Sequence, residues 1–211
     1  ETVGSKAFYN CKKLAGELAL PSSLKGVNES AFAGGTRDGV SLAPKLTSLL
    51  GLENTKLATV GVDAFKGNMI GGALTFPVTL DSVGASAFQN NLITKVSFLN
   101  TTVDKIVLGS SCFQNNKIKI HPLTQGVRFG MADYAFADTS LTGEFSFEDE
   151  NVPAPARGVI SGNPGVTKVI ISKFWGFIPG DAFKGLAGLK EVVIPANSKF
   201  TRVGAGAFQD C

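Results

Sequence analysis

Histidine, cysteine and tryptophan are scarce in this chain: its 211 residues carry one His, three Cys and one Trp. The lone His121 has no Cys or Asp cluster around it, which is poor provision for a metal. It also lacks a Ser or Cys partner in a nucleophile motif. No Gly-rich phosphate loop, HExxH or GxSxG occurs. An enzyme would need a clustered acid, base or nucleophile, so a non-enzymatic protein without cofactor or metal is expected. Charged residues make up only 18% and the net charge is +3, which argues against a dedicated nucleic-acid binder. No apolar run approaches the ~18 residues of a membrane span. A signal peptide is absent from the segment.

A repeated phrase is what the chain has instead. An apolar residue, usually Gly, two variable residues, Ala and Phe recur. The copies are VGSKAF ending at Phe8, VNESAF at Phe32, VGVDAF at Phe65, VGASAF at Phe88, LGSSCF at Phe113, MADYAF at Phe136, IPGDAF at Phe183 and VGAGAF at Phe208. Successive Phe residues lie 24, 33, 23, 25, 23, 47 and 25 apart. The step of 47 is two periods, because Ile160 in ISGNPGVTKVII lines up with Phe88 in FQNNLITKVSF. A fixed period of roughly 20–30 residues means a stacked solenoid. The whole chain, 1–211, then reads as one array of about nine turns. It starts and stops inside a repeat, at Glu1 and Cys211, so a longer parent chain is expected, and uncapped end turns raise the possibility of end-to-end self-association.

Within a repeat, a polar corner such as Gln89-Asn90-Asn91 follows the Phe, and Asn there tolerates left-handed backbone angles. Leu92 and Ile93 are then expected to turn inward. A short alternating strand comes next. Its copies are Leu18-Ala19-Leu20, Leu74-Thr75-Phe76, Val96-Ser97-Phe98, Ile118-Lys119-Ile120, Phe145-Ser146-Phe147, Val169-Ile170-Ile171 and Val192-Val193-Ile194. Pro21, Pro77 and Pro195 help to end three of them. One strand per turn at one phase predicts a parallel sheet, with extended or short 3₁₀ segments opposite. The 33-residue step predicts a protruding loop around Gly34 to Thr47.

The stretches LALPSSLKGVNESAF, LTFPVTLDSVGASAFQNN and VVIPANSKFTRVGAGAFQDC resemble the BspA-like leucine-rich repeat family. Its repeats read roughly as an inward apolar pattern, IP, then V-x-x-IG-x-x-AF-x-x-C/N-x-x-L. The resemblance covers nearly the full chain and weakens at Gly130 to Ala132 and Ala154 to Ile160. It implies a curved, right-handed leucine-rich-repeat solenoid, mainly β, with the parallel sheet on its concave face. It further implies a secreted or cell-surface protein, mostly bacterial, and often an adhesin that binds host matrix proteins or other cells. Fold alone does not fix function.

Individual residues add less. Cys11 and Cys211 hold the same repeat position eight turns apart, roughly 40 Å at about 4.8 Å per turn. A disulfide needs Cα atoms within about 7 Å, so the two cannot bridge within one folded chain. All three Cys, Cys112 in an Ala slot included, read as small buried fillers; the alternative is a reactive or intermolecularly bridged Cys211. Trp175 aligns with Leu24, Leu57, Leu80 and Phe200, which makes it core on the convex side rather than an exposed anchor, with Phe174 or Phe177 the more exposed neighbour. Glu148-Asp149-Glu150 could hold Ca²⁺, but the spacing is not that of an EF-hand, and a solvated loop is the simpler reading. Two glycosylation sequons occur, Asn28-Glu29-Ser30 and Asn100-Thr101-Thr102.

The functional expectation is geometric. The middle residue of each strand points away from the core, giving a column of Ala19, Thr75, Ser97, Lys119, Ser146, Ile170 and Val193. A flanking column holds Glu17, Lys95, Lys117, Glu144, Lys168 and Glu191. The other flank holds Leu99, His121, Glu148 and Ser172. Lys95, Lys117, Lys119 and His121 form a basic patch beside acidic Glu144 and Glu148, with an apolar end at Ile170 and Val193. A broad mixed surface suits a protein ligand more than a small molecule. The expected role is protein binding through the concave sheet. The alternative is a passive spacer or stalk presenting another domain.

Overall fold

A computed structural model describes residues 1–37, 40–100, 105–120, 127–147 and 156–211. It is a β-solenoid with two strands in most turns rather than one. The longer set comprises Ala15–Ala19, Lys45–Leu50, Gly71–Phe76, Leu92–Phe98, Thr142–Ser146, Gly165–Ile170 and Glu191–Val193. These pair in parallel as two doublets and one triplet. The shorter set lies just before each Phe. Thr2–Val3, Gly26–Val27, Thr59–Val60, Ser82–Val83, Ile106–Leu108 and Phe129–Met131 make a parallel six-stranded sheet. Phe177–Ile178 and Arg202–Val203 continue the same phase as a separate pair. The side opposite the long strands is therefore itself a sheet, where extended or 3₁₀ segments were expected. Among the described residues the only helix is the 3₁₀ turn Leu52–Asn54.

Each turn is phased by its Phe. The N–H of Phe32, Phe65, Phe88 and Phe113 donates to the carbonyl of Ala64, Ala87, Cys112 and Ala135 one turn on. That contact sets the rings in a column, with centroid spacings of 4.9, 5.2, 5.2, 5.6 and 5.4 Å from Phe8 through Phe136. Phe136 donates in the same way to Val159, so Ile160 occupies the next slot, as its alignment predicts. The ring missing there is replaced from the opposite wall. Phe147 packs 4.6 Å from Trp175 and 6.1 Å from Phe183. Trp175 is thus buried core, and Phe174 is the exposed neighbour.

Two left-handed residues flank every Phe slot except that of Phe32, which has only the one before it. At two positions before the slot stand Lys6, Ser30, Asp63, Ser86, Ser111, Tyr134 and Asp181, with Gly158 and Gly206 in the remaining turns. Two positions after it stand Asn10, Asn90, Asn115, Asp138 and Asp210, with Gly67, Gly162 and Gly185 in others. The short polar side chains of Asn, Asp and Ser and the bare backbone of Gly keep the cost of φ > 0 low.

Three positions after the Phe runs a buried amide ladder. Asn68, Asn91, Asn116 and Asn163 each donate to the carbonyl of the Phe-slot residue in their own turn and to that of the preceding turn. Their Oδ1 atoms accept from the N–H of Leu46, Ile70, Ile93 and Leu141. Every corner carbonyl that would be orphaned between the two sheets thereby finds a donor. Cys11 and Cys211 hold this same slot but are exposed, whereas Cys112 is buried. The filler reading holds for Cys112 alone, because within this chain Cys11 and Cys211 are each covered by a turn on one side only. Cys211 still donates, from Sγ to the Phe183 carbonyl at 3.1 Å.

Candidate interaction face

Of the residues singled out for recognition the long strands carry Lys95, Ser97, Glu144, Ser146, Lys168 and Ile170, whereas Lys117 and Lys119 lie on the strandless stretch after Phe113. Lys95, Lys117, Lys119 and Glu144 are exposed, and Ser97 and Ser146 are half-buried. His121 and Glu148 lie outside the described residues, as do Asp149 and Glu150. Ile170 retains only 8% of its surface. It sits in the middle strand of the triplet, between Ser146 and Val193, and offers little to a partner.

The lysines come together, but not in the expected column. Ile118-Lys119-Ile120 is not a strand and is not in phase with Val96-Ser97-Phe98. Asn116 bonds to Ile93, Lys117 N–H donates to the Ile93 carbonyl at 2.8 Å, and Leu92 N–H donates to that of Ile70 at 2.8 Å. Ile118 is therefore the counterpart of Ile93 and Ile70, and the bond pattern that sets Leu92 beside Gly71 sets Lys117 beside Thr94 and Lys119 beside Lys95 one turn on. Lys119 N–H reaches the Thr94 carbonyl at 3.4 Å. Lys95 follows at a bulge between Ile93 and Lys95. The result is a compact three-lysine group across two turns. Among the described residues none of the three has an ion-pair partner. Exposed apolar side chains border it: Leu92 at 44%, Met69 at 45% and Ile120 at 60%. Leu92, expected to turn inward with Ile93, is exposed instead, and sequence reasoning passed over Met69; both stand just after the buried Asn and before the inward Ile, and the N-x-I spacing was the available signal.

Lys168 differs from these lysines. Its Nζ lies 3.4 Å from Glu144 and 3.6 Å from Glu191, on the strands either side. The hydrogen bond it donates to Glu144, then the charge of Glu191, raises its pKa above the ordinary lysine value. Lys168 is thus paired internally in the C-terminal part of the face, while Lys95, Lys117 and Lys119 have no counter-charge among the described residues.

The remaining candidates sort by burial. Asn28 is exposed, with Ser30 of its sequon buried. Asn100 is buried and donates to the Leu80 carbonyl at 3.0 Å, so the second sequon's Asn is closed to modification in the fold. Among the described residues no group of three or more His, Cys, Asp or Glu could hold a metal ion, and no helix is long and apolar enough to cross a membrane.

Solved structures with a similar outline include a leucine-rich repeat protein from Bacteroides ovatus ATCC 8483. It is 18% identical with a TM-score of 0.45, over 100% of this chain and 68% of that one. A leucine-rich repeat protein from Eubacterium ventriosum ATCC 27560 is 15% identical with a TM-score of 0.40, over 99% of this chain and 80% of that one. No curated protein matches the sequence. The profile of the BspA type leucine rich repeat region matches six copies, over residues 1–50, 41–156 and 156–211. With Phe, Asn and left-handed slots recurring in step along that whole span, the chain belongs to the BspA-type leucine-rich repeat family.

Proposed function

We propose that this array is a non-enzymatic binding module that grips an acidic protein surface through its long-strand face. The observation that carries the reading is the group of Lys95, Lys117 and Lys119, without counter-charge among the described residues and bordered by exposed Leu92 and Ile120. Apolar contact supplies affinity and the lysines supply orientation and rate. Lys95 stands on a paired strand, and backbone bonds to Ile93 and Thr94 tie Lys117 and Lys119 to the same turn, a fixed support that lowers the ordering cost of binding. The finer reading is adhesion to a host, matrix or cell-surface protein from an extracellular or cell-surface position. It is supported by family membership and by the face's breadth. Ser97, Glu144, Ser146 and Lys168 would form the polar rim.

The test is binding of the purified array to immobilised matrix proteins and to intact cells, wild type beside Lys117→Glu/Lys119→Glu. Saturable binding that the double variant loses supports the reading. Binding kept by the variant would move the site off this face. No binding by either would favour a spacer that presents another domain.

A further inference from the structure

The inserted segment in the second repeat builds a feature that the regular turns lack. Thr36–Arg37 and Val40–Ser41 form an antiparallel hairpin. Its base is fixed by Leu42 N–H donating to the Gly35 carbonyl at 2.8 Å and Gly35 N–H donating to Asn10 Oδ1 at 2.9 Å. Gly34 is pressed onto the Ala43 backbone, where a Cβ would sit 2.2 Å from the Ala43 nitrogen. The hairpin therefore overhangs the corner column rather than extending it. Beneath it opens a cleft of about 440 Å³ lined by Gly34, Gly35, Thr36, Ser41, Lys66, Gly67 and Asn90.

The left-handed corner slot at Gly67 lacks a side chain where Asn10, Asn90 and Asn115 carry amides, and the cleft opens beside it, since a Cβ there would meet only Ala43 Cβ and the cleft-lining Ser41 Oγ. Its rim is rich in donors. Asn115 Nδ2 donates to Asn90 Oδ1 at 2.8 Å, which leaves the Asn90 amide protons without a partner among the described residues. Ser41 Oγ accepts from Ala43 N–H at 3.2 Å and keeps its own proton. Lys66 Nζ lies 3.2 Å from Asp63 and has two further protons to give. Thr36 adds a hydroxyl. Among the described residues lining the cleft there is no aromatic or large apolar side chain, so it does not suit an apolar ligand. A phosphate would call for bidentate or multiple cations, and Lys66 is the one cation among the described lining residues. Hydroxyl and amide donors around a single ammonium match a ring of hydroxyls bearing one carboxylate.

We propose that the cleft binds a carboxylate-bearing sugar, such as a uronic acid unit of a glycan. The carboxylate meets Lys66, and the ring hydroxyls meet Thr36, Ser41 and Asn90.

Gly67 supplies the decisive variant. Its φ is +73°, and a Cβ there would meet only the Ala43 Cβ at 3.8 Å and Ser41 Oγ at 3.9 Å, both ordinary contacts. Asn already adopts the equivalent geometry at Asn90 and Asn115. Gly67→Asn therefore fills the cleft floor while keeping the fold. The experiment is an NMR titration of the whole chain with glucuronate, glucose and inorganic phosphate, alongside a melting curve of each variant. Saturable glucuronate shifts at the Gly35, Gly67 and Asn90 amides are expected. They should weaken about tenfold or more in Gly67→Asn at an unchanged melting temperature, with Lys66→Gln reducing glucuronate to the level of glucose. The proposal is overturned by unsaturable shifts, by equal binding in Gly67→Asn, or by glucose or phosphate binding wild type as well as glucuronate does.

Discussion

Asn116 clasps the carbonyl of Phe88, one turn below, with its Nδ2 at 2.9 Å. The same amide reaches Phe113 of its own turn at 2.9 Å and accepts from Ile93 N–H at 3.0 Å. One buried side chain thus satisfies three backbone groups in two turns. Asn116→Ala strands the Phe113 carbonyl and the Ile93 N–H away from water, while Phe88 keeps the Asn91 amide at 3.1 Å, and should cost about 2 kcal/mol, at roughly 1 kcal/mol or more each. Urea denaturation followed by circular dichroism measures it. Asn115→Gly, one residue away at an exposed left-handed position, should be close to neutral, since Gly accepts φ > 0 freely. Equal losses in the two variants would contradict the ladder's role.

Gly84 tests how closely turns stack. A Cβ at Gly84 would lie 2.6 Å from the Gly61 carbonyl carbon and 2.6 Å from the Val62 nitrogen, both backbone atoms that cannot step aside. Gly84→Ala should lower stability by about 2 kcal/mol through overpacking. Gly176 has nothing within 4 Å of its added Cβ, and Gly176→Ala should stay within about 0.5 kcal/mol of wild type. Paired thermal melts of the two variants decide the matter.

Thiol labelling reads the cysteine slots directly. Cys11 and Cys211 are exposed and Cys112 is buried. Burial pushes the Cys112 thiol well above its ordinary pKa, which withholds the reactive thiolate. A native titration with an aromatic disulfide reagent at mildly alkaline pH should consume two thiols promptly and the third only after denaturation. Three fast equivalents in the native protein would count against the buried slot.

Lys168 predicts an alkaline limb in stability. Its pKa is raised in the fold by Glu144 and then Glu191. Its contribution is therefore complete below the unfolded lysine value and is lost as pH rises through the higher folded value. Lys168→Met should flatten that limb while leaving the chain folded at neutral pH. Melting temperatures of both proteins across pH 8 to about 11 give the comparison, and parallel curves would refute it.

Much of the array can be read from the amino acids. The Phe step, the substitute Ile160 and the inward position of Trp175 follow from counting, because each turn consumes a nearly constant length of chain. What counting missed lies between turns. The bulges at Gly16/Glu17, Ile93/Lys95 and Gly143/Glu144 change how many residues separate a Phe from its strand. Matching Ile118-Lys119-Ile120 to Val96-Ser97-Phe98 by pattern alone therefore gave the wrong phase.

Sequence alone determined that this protein is a repeat solenoid built on a Phe column, because side-chain periodicity is covalent and survives without coordinates. Tertiary structure decided the rest. It made Asn91 and Asn116 buried clasps while neighbouring Asn90 and Asn115 stay outside. It set Lys117 beside Thr94, closed Ile170 and left Lys119 open. It also folded the Gly34 to Thr47 insertion over a cleft. Each of these depends on hydrogen bonds and contacts from an adjacent turn some 20 or more residues away in the chain, which no local pattern encodes.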